Sequence, residues 1–371
     1  MMTPLSYLPA RIRSISANGS PIESLDINNK THSSHLSIVC RAKNGTRIAW
    51  SVYKTKKGYP SEAKSDYSQL NLWAKNIQEE IFKTQEQYNL PIFGMYPVDR
   101  AQATIPVRIK KHHTFDLVSI LEPDLIWNAD YKIFYEWFRD QDIMETKEHY
   151  KDRSLEAVRQ AIYSFMPGFS QLQFKTKPHP GLFVEKKGYG TFGIEQLSGG
   201  EQCIFALIGD IARKLAIANP VLENPLEGTG IIFIDEIDLH LHPSWQYTVV
   251  EKLKQTFPGC QFILSTHSPC LISHAKRNEI TYLEDVNGTI VAQQGLTTYG
   301  KDAASLYQDY LTLSTTRPRV VEDQLQEIYQ LLDNNLSEAE SKLKELQNLV
   351  ENDTELAKIQ LIIDRKRTLG I

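Results

Sequence analysis

Apolar and polar residues alternate with several different periods along this chain, and each period predicts an element. Tyr67, Leu70, Ala74, Ile77 and Ile81 recur at steps of three and four, one face of an amphipathic helix. Leu36 to Ala42 and Arg47 to Lys54 flank Asn44-Gly45, whose residues tolerate the positive φ of a tight turn, so these runs predict a hairpin. Pro91 to Tyr96 predicts a short strand, left through Pro97-Val98-Asp99-Arg100. The first thirty residues are rich in Ser, Asn and Pro, poor in apolar pattern, and predict mostly loop. Ala129 to Ile143 predicts a helix dense in aromatics (Tyr131, Phe134, Tyr135, Trp137, Phe138), and Ser154 to Phe165 predicts a second. Few basic residues are interleaved with those aromatics, which favours packing over base stacking. Leu172 to Lys175 and Leu182 to Lys187 predict strands of a β-rich lobe.

Two runs do not alternate at all. Ile231-Ile232-Phe233-Ile234 and Cys260-Gln261-Phe262-Ile263-Leu264 predict strands buried on both faces of a parallel sheet. The apolar stretch Cys203 to Ala218 predicts a buried helix, and Glu279 to Leu283 with Thr289 to Gln293 predict a hairpin around Asn287-Gly288. The last fifty residues carry two helical stripes, Val321, Leu325, Ile328, Leu332 and then Ala339, Leu343, Leu346, Val350, and Asp353 to Lys366 predicts a third helix. Ser337 with Glu340 predicts a capping box on the second. This tail reads either as a small bundle or docking appendage, or as a solvated cover.

Composition narrows the classes. A chain of 371 residues with 41% hydrophobic and 23% charged residues is that of a soluble globular protein of one large or two ordinary domains. The net charge of −4 gives no whole-chain footprint for nucleic acid, so any such contact must be a local patch. Cys40, Cys203, Cys260 and Cys270 show no metal spacing and read as reduced, cytosolic thiols. No apolar run is long enough to span a bilayer, and the start has neither a basic n-region nor an apolar h-region.

Chemistry concentrates in three stretches. Asp235-Glu236 ends the first apolar strand, where open α/β sheets bind ligands. Two adjacent carboxylates there can divide the work of phosphoryl transfer, Asp235 holding Mg²⁺ and Glu236 activating a water; the plainer alternative is a core strand ending in two solvated acids. Leu197-Ser198-Gly199-Gly200-Glu201-Gln202 opens the apolar helix. Ser198 and Glu201 fit a plain capping box, and the same glycines and helix N-terminus also suit an anion. His267 follows the second strand in Ser265-Thr266-His267-Ser268. His240-x-His242 alone is weak evidence for a metal. Arg100 is either a phosphate contact or a surface arginine. Gly295-Leu296-Thr297-Thr298-Tyr299-Gly300-Lys301-Asp302 imitates a P-loop but ends in Asp where Ser or Thr must meet Mg²⁺, which argues against a nucleotide cradle.

These three motifs, in this order and on these element types, resemble the ABC-type ATPases of the SMC and RecF group, with signature loop, Walker B strand, D-loop and switch histidine. The resemblance implies an α/β fold: an ABC-type nucleotide-binding domain over residues 1–318, with a helical, aromatic insertion at about 125–166, and a helical C-terminal appendage over 319–371. It implies ATP and Mg²⁺ as cofactors and two copies sandwiching two ATP molecules. Ser198, Gly199, Gly200, Glu201, Gln202 and Asp238 would lie at the nucleotide, Asp235 on the metal, Glu236 as general base, and His267 against the γ-phosphate. One departure stands out: no Gly-x-x-x-x-Gly-Lys-[Ser/Thr] occurs in the chain, and nothing before Leu36 supplies the strand, loop and helix of a P-loop unit. The expectation is a start that lies inside a longer gene, which leaves autonomous hydrolysis by these residues open.

The missing long coiled coil, Phe134-x-x-Trp137-Phe138-Arg139, Tyr299-Gly300-Lys301-Asp302 and the helical tail resemble the PtuA ATPases of Septu and retron antiphage systems. That resemblance implies a cytoplasmic ATPase controlling a partner HNH nuclease, and in a retron also the reverse transcriptase and its nucleic acid. The alternatives are a RecF-like repair ATPase that binds DNA, and a degenerate, non-hydrolysing structural partner. A nuclease within the chain finds little support: only Glu284-Asp285 follows the core, and His112-His113 lacks the context of an HNH site.

Overall fold

The opening segment folds where composition predicts loop. Tyr7–Arg13 forms helix α1, which buries Tyr7, Leu8, Ala10 and Ile12. Pro9 is tolerated because the first-turn N–H groups of a helix have no internal partner anyway. The end of α1 is closed from outside: Gln78 Nε2 donates to the carbonyls of Arg11 and Ile12 at 3.2 and 2.8 Å. Gln78 belongs to α2, Ser68–Lys83, which buries the expected stripe of Leu70, Ala74 and Ile77. A seven-residue helix held by tertiary contacts leaves little periodic signal, and so the sequence hides it.

The structure is a computed structural model that describes residues 3–85, 87–98, 115–122, 131–177, 179–310 and 315–369. Arg100, His112-His113 and the start of the aromatic insertion lie outside the described residues. Two compact units are distinguished, Met1–His267 and Ser268–Ile371.

In the first unit, β1 (Ser33–Arg41) and β2 (Arg47–Thr55) form the expected antiparallel hairpin, with Ile48, Trp50 and Val52 buried. The central sheet is parallel, in the order β3 (Ile92–Tyr96), β7 (Gly230–Ile234), β8 (Cys260–Leu264). Between β3 and β7 in sequence come the helices α3 (Tyr131–Glu148) and α4 (Arg153–Phe165) and the antiparallel strands β4 (Phe169–Lys175), β5 (Gly181–Lys186) and β6 (Gly190–Gly193). Helix α5, Gly199–Ala218, follows and is buried on all sides beyond its first turn. The aromatic residues of α3 pack inward, Phe134 edge-on to Phe205 of α5 at 5.6 Å between ring centroids, as the shortage of interleaved basic residues suggests.

The expectation for the two apolar strands needs correction. Ile232 and Ile234 of β7 are buried while Ile231 and Phe233 are half-buried, and in β8 Gln261 and Ile263 are exposed. Among the described residues β8 is the edge of this sheet, so its apolar composition does not translate into burial on both faces.

A buried charge cluster ties α5 to the end of β3. The Tyr96 hydroxyl donates to Asp210 Oδ2 at 2.8 Å, and Asp210 pairs with Arg213 and Lys214, each at 2.7 Å, all of them essentially without solvent exposure. Burial alone would raise the Asp210 carboxyl, but the Lys214 and Arg213 charges hold it below the usual carboxylate range. Burial lowers the Lys214 ammonium against the pull of Asp210.

Helices α6 (Pro243–Gln246) and α7 (Val249–Thr256) connect β7 to β8. In the second unit, α8 (Pro269–Ile272) precedes β9 (Thr281–Val286), which pairs with β10 (Thr289–Gln294), and α9 (Ala303–Tyr310) follows. Helices α10 (Arg319–Asn334), α11 (Leu336–Leu349) and α12 (Thr354–Leu369) enclose their own core of Val321, Leu325, Ile328, Leu332, Ala339, Leu343, Leu346, Leu356, Ile359 and Ile363. The cap of α11 differs from expectation: Asn335, not Ser337, accepts from the Glu338 N–H, at 3.3 Å. Asn335 N also closes α10 onto Leu331 O at 2.8 Å, so one residue ends one helix and caps the next. Among the described residues no helix is long and apolar enough to cross a membrane.

Candidate functional site

The ends of β7 and β8 are stitched together by the hydroxyls that follow β8. Parallel pairing continues past the strands: Asp235 N donates to Tyr96 O at 2.9 Å, and Ser265 N to Ile234 O at 3.0 Å. Ser265 Oγ then accepts from Glu236 N at 2.8 Å and donates to the Asp235 carboxylate. Thr266 Oγ1 donates to the Asp238 carboxylate, and Ile237 N to Ser265 O at 3.1 Å. His267 Nε2 lies 3.3 Å from Glu236 Oε1, its ring largely exposed. Asp235, Glu236, Asp238 and His267 are thereby gathered at one end of the sheet.

Backbone conformation sharpens this corner. Glu236 has φ +46° and His240 φ +65°, the left-handed region that costs a non-glycine residue about 1–2 kcal/mol. At Glu236 the turn swings the chain off β7 immediately after Asp235, ending the strand's alternation there. Positive φ at non-glycine residues gathers at functional corners, where surrounding bonds hold it.

The second cluster is the N-terminus of α5. Ser198 Oγ accepts from Glu201 N at 3.3 Å, and Glu201 Oε2 accepts from Ser198 N at 2.9 Å and from Ser198 Oγ at 3.0 Å, a full capping box. Gln202 Nε2 closes the preceding turn on Glu195 O and Leu197 O at 3.1 and 2.8 Å. Lys186 of β5 reaches Glu201 Oε1 at 2.7 Å, its ammonium resting over the rings of Phe169 and Tyr189 at 5.3 and 5.5 Å. Partial burial works to raise the Glu201 carboxyl, and the bonds from Lys186 and Ser198 outweigh it and hold the group below its ordinary value.

The two glycines do different things. A Cβ on Gly199 would meet nothing within 4 Å, whereas one on Gly200 would stand 2.6 Å from the His240 carbonyl oxygen. Gly200 therefore serves the close approach of the α5 N-terminus to the stretch after β7, and Gly199 is the glycine that leaves the helix end open. Such an end, with free N–H groups and a positive macrodipole, suits an anion.

The residues present fit part of a nucleotide–metal site. Mg²⁺ keeps waters and phosphate oxygens and takes only one or two protein carboxylates. Asp235 with a neighbouring hydroxyl matches that need, and among the described residues no group of three or more His, Cys, Asp or Glu could form an all-protein cage. His242 Nδ1 meets Ser244 Oγ at 2.8 Å, capping a short helical turn. The P-loop imitation is occupied by its own chain, with Lys301 Nζ on Asp309 at 2.6 Å and Asp302 accepting from Ser305. Sequence reasoning missed Lys186 and the double role of Ser265. Two hydroxyls directly after an apolar strand are a signal for the second; nothing local signals the first.

Comparisons with known proteins identify relatives of this chain. A family model described as "AAA domain, putative AbiEii toxin, Type IV TA system" matches residues 12–273. The chain is 32% identical over 333 residues to the "Retron Ec83 probable ATPase" of Escherichia coli, covering 71% of this chain and 60% of that protein. It is 28% identical over 335 residues to the "Retron Vc95 probable ATPase" of Vibrio cholerae serotype O1 biovar El Tor, covering 76% and 65%. A Septu protein PtuA of Bacillus mycoides is 31% identical over 176 residues, covering 45% and 23%. The chain thus spans 60 to 65% of the length of the two retron relatives. Among solved structures, an SMC head bound to the C-winged helix domain of ScpA aligns over 79% of this chain and 86% of its own, with TM-score 0.45 at 13% identity.

Proposed function

We propose a function from one premise: this chain belongs to the AAA-domain family matched over residues 12–273, and is an ABC-type ATPase of the SMC/RecF-like group related to the retron and Septu ATPases. On that premise it is the ATP-binding component of an antiphage system, acting in the cytoplasm as a dimer closed by ATP and controlling a partner HNH nuclease. In a retron the reverse transcriptase and its nucleic acid are further partners. The ATPase part runs over residues 1–318 and the helices of 319–371 form the appendage, whose separate apolar core supports that boundary.

The observation that carries the reading is the joined end of β7 and β8, where Ser265 holds both Asp235 and the Glu236 backbone and His267 faces the Glu236 carboxylate at 3.3 Å. Asp235 would hold Mg²⁺, which when bound offsets the charge of the phosphates. Glu236 accepts the proton of the attacking water, and His267 orients toward the γ-phosphate. Ser198, Gly199 and the first N–H groups of α5, with Gly200, Glu201 and Gln202 shaping the turn and Asp238 beside it, receive the γ-phosphate of ATP held by the facing copy.

The test is ATP-dependent mass and phosphate release for the wild type and Glu236→Gln. We expect the variant to double in mass with ATP and Mg²⁺ and to lose about 10²- to 10⁴-fold in turnover, the usual worth of a positioned base. Turnover at the wild-type rate would remove Glu236 from that role. Failure of both proteins to bind ATP would favour the non-hydrolysing structural alternative.

A further inference from the structure

The charge of this chain is unevenly spread. Residues 30–57 contain seven Lys or Arg and no Asp or Glu, so the remainder carries a net −11 against −4 for the whole. That basic stretch is the β1–β2 hairpin with its flanks. In the hairpin register Arg41 stands directly opposite Arg47, on one face, with Lys43 in the turn between them. Like charges directly opposite across an antiparallel pair repel, and a carboxylate beside them would relieve the repulsion. None is present here: among the described residues Lys30, Arg41, Lys43, Arg47, Lys54 and Lys57 meet no acidic side chain, and all six are exposed. Several exposed cations elsewhere in the chain do find one, as Lys75 does at Glu79, Lys83 at Glu80, Lys342 at Glu327 and Lys366 at Asp333. The flanking acids in sequence are Asp26 on one side and Glu62 and Asp66 on the other; Asp26 Oδ2 already accepts from Glu23 N at 2.7 Å and Asp66 Oδ1 from Ser68 N at 2.9 Å.

The same face continues from the arginine pair with hydroxyls and rings. Ser37 stands opposite Ser51, then His35 opposite Tyr53 with ring centroids 6.2 Å apart. Past the strand ends, His32 stacks on the half-exposed Tyr59 at 3.8 Å. A run of guanidinium and ammonium groups followed by donors and stacked rings matches a sugar–phosphate backbone with accessible bases. An acidic protein partner would call for apolar anchors among the charges, and Val39 is the only large one on this face.

We propose that the outer face of the β1–β2 hairpin binds nucleic acid, with the phosphodiester backbone neutralising the Arg41–Arg47 pair and Lys43, and bases reaching toward the rings of Tyr53 and Tyr59. This surface is separate from the nucleotide site and does not depend on the function assigned there.

The experiment measures fluorescence anisotropy of the full chain, without ATP, on a labelled single-stranded DNA, the matching RNA and the DNA duplex, between about 50 and 200 mM salt. Binding should weaken steeply with salt. In Arg41→Thr/Arg47→Thr, affinity should fall about tenfold at low salt and the salt slope by about 1.4 for a single strand or 1.8 for a duplex, the loss of two phosphate contacts. The unfolding midpoint of this variant should be unchanged or higher, because a repulsive pair is replaced by a favourable Thr–Thr pair. The tightest of the three probes identifies the nucleic acid. The proposal fails if the wild type binds none of them, or if the variant binds them as the wild type does.

Discussion

The Glu236 carboxylate and the His267 imidazole face each other at 3.3 Å from the ends of two neighbouring parallel strands. Neither residue fixes that distance by itself. It follows from the register of β7 and β8, extended one step by Ser265 N on Ile234 O, and from the left-handed turn at Glu236. A carboxylate and an imidazole are thus set side by side at the C-terminal end of the sheet, where the chain leaves it.

Ser265 is the residue that makes this corner rigid. Ser265→Ala removes the acceptor of Glu236 N and the donor to Asp235 together. The site is exposed, so the expected loss of stability is modest, about 1 kcal/mol in urea unfolding. ATP turnover should fall about tenfold, one such energy unit in the barrier. Ser265→Thr, which keeps the hydroxyl, should retain most of both; equal losses in the two variants would show that the hydroxyl is not the anchor.

Gly199 and Gly200 should respond oppositely to alanine. Gly200→Ala drives a Cβ to 2.6 Å from the rigid His240 carbonyl and is expected to cost about 1–3 kcal/mol. Gly199→Ala meets open space at the first turn of a helix and should leave stability unchanged or slightly improved. Paired denaturant curves decide this, and equal destabilisation would contradict the packing described.

The cluster at Asp210 carries two cations for one carboxylate. Asp210→Ala strands Arg213 and Lys214 in the interior and should cost about 3–5 kcal/mol. Lys214→Met removes the surplus charge, leaves the Arg213–Asp210 pair, and should be close to neutral or stabilising. Chemical unfolding of the two variants tests the ordering; a Lys214→Met protein as unstable as Asp210→Ala would overturn it.

Acid should loosen the α5 N-terminus. Because the folded Glu201 carboxyl sits below its ordinary value of about 4.3, its contribution is complete above that pH and is lost as pH falls through the lower folded value. The wild type should therefore lose stability more steeply than Glu201→Gln as the pH drops from about 5 toward 3. Parallel thermal-midpoint curves for the two proteins over that range would rule out the Lys186–Glu201 contribution.

Much of the architecture was legible because it is local. The hairpin at Asn44-Gly45, the stripe of α2, the strand at Ile231–Ile234, the helix after Ser198-Gly199-Gly200-Glu201 and the stripes of the tail each encode their own period or turn chemistry. Where local signals competed, the choice went to tertiary contacts. α1 exists because Gln78 and the surface of α2 complete it, and Asn335 displaced Ser337 as a cap because the turn between α10 and α11 is one residue long.

The sequence by itself determined the order of the chemical groups, an apolar strand ending in two acids, a glycine turn opening a helix, a second strand ending in hydroxyls and a histidine, because residue type and period are properties of short stretches. Only the tertiary structure decided which of those groups meet. The strand register placed Ser265 on Asp235 and His267 on Glu236, and the lobe geometry brought Lys186 to Glu201. It also left β8 at an exposed edge and the arginines of β1 and β2 facing each other. Those relations depend on distances between segments far apart in the chain, and no local pattern carries them.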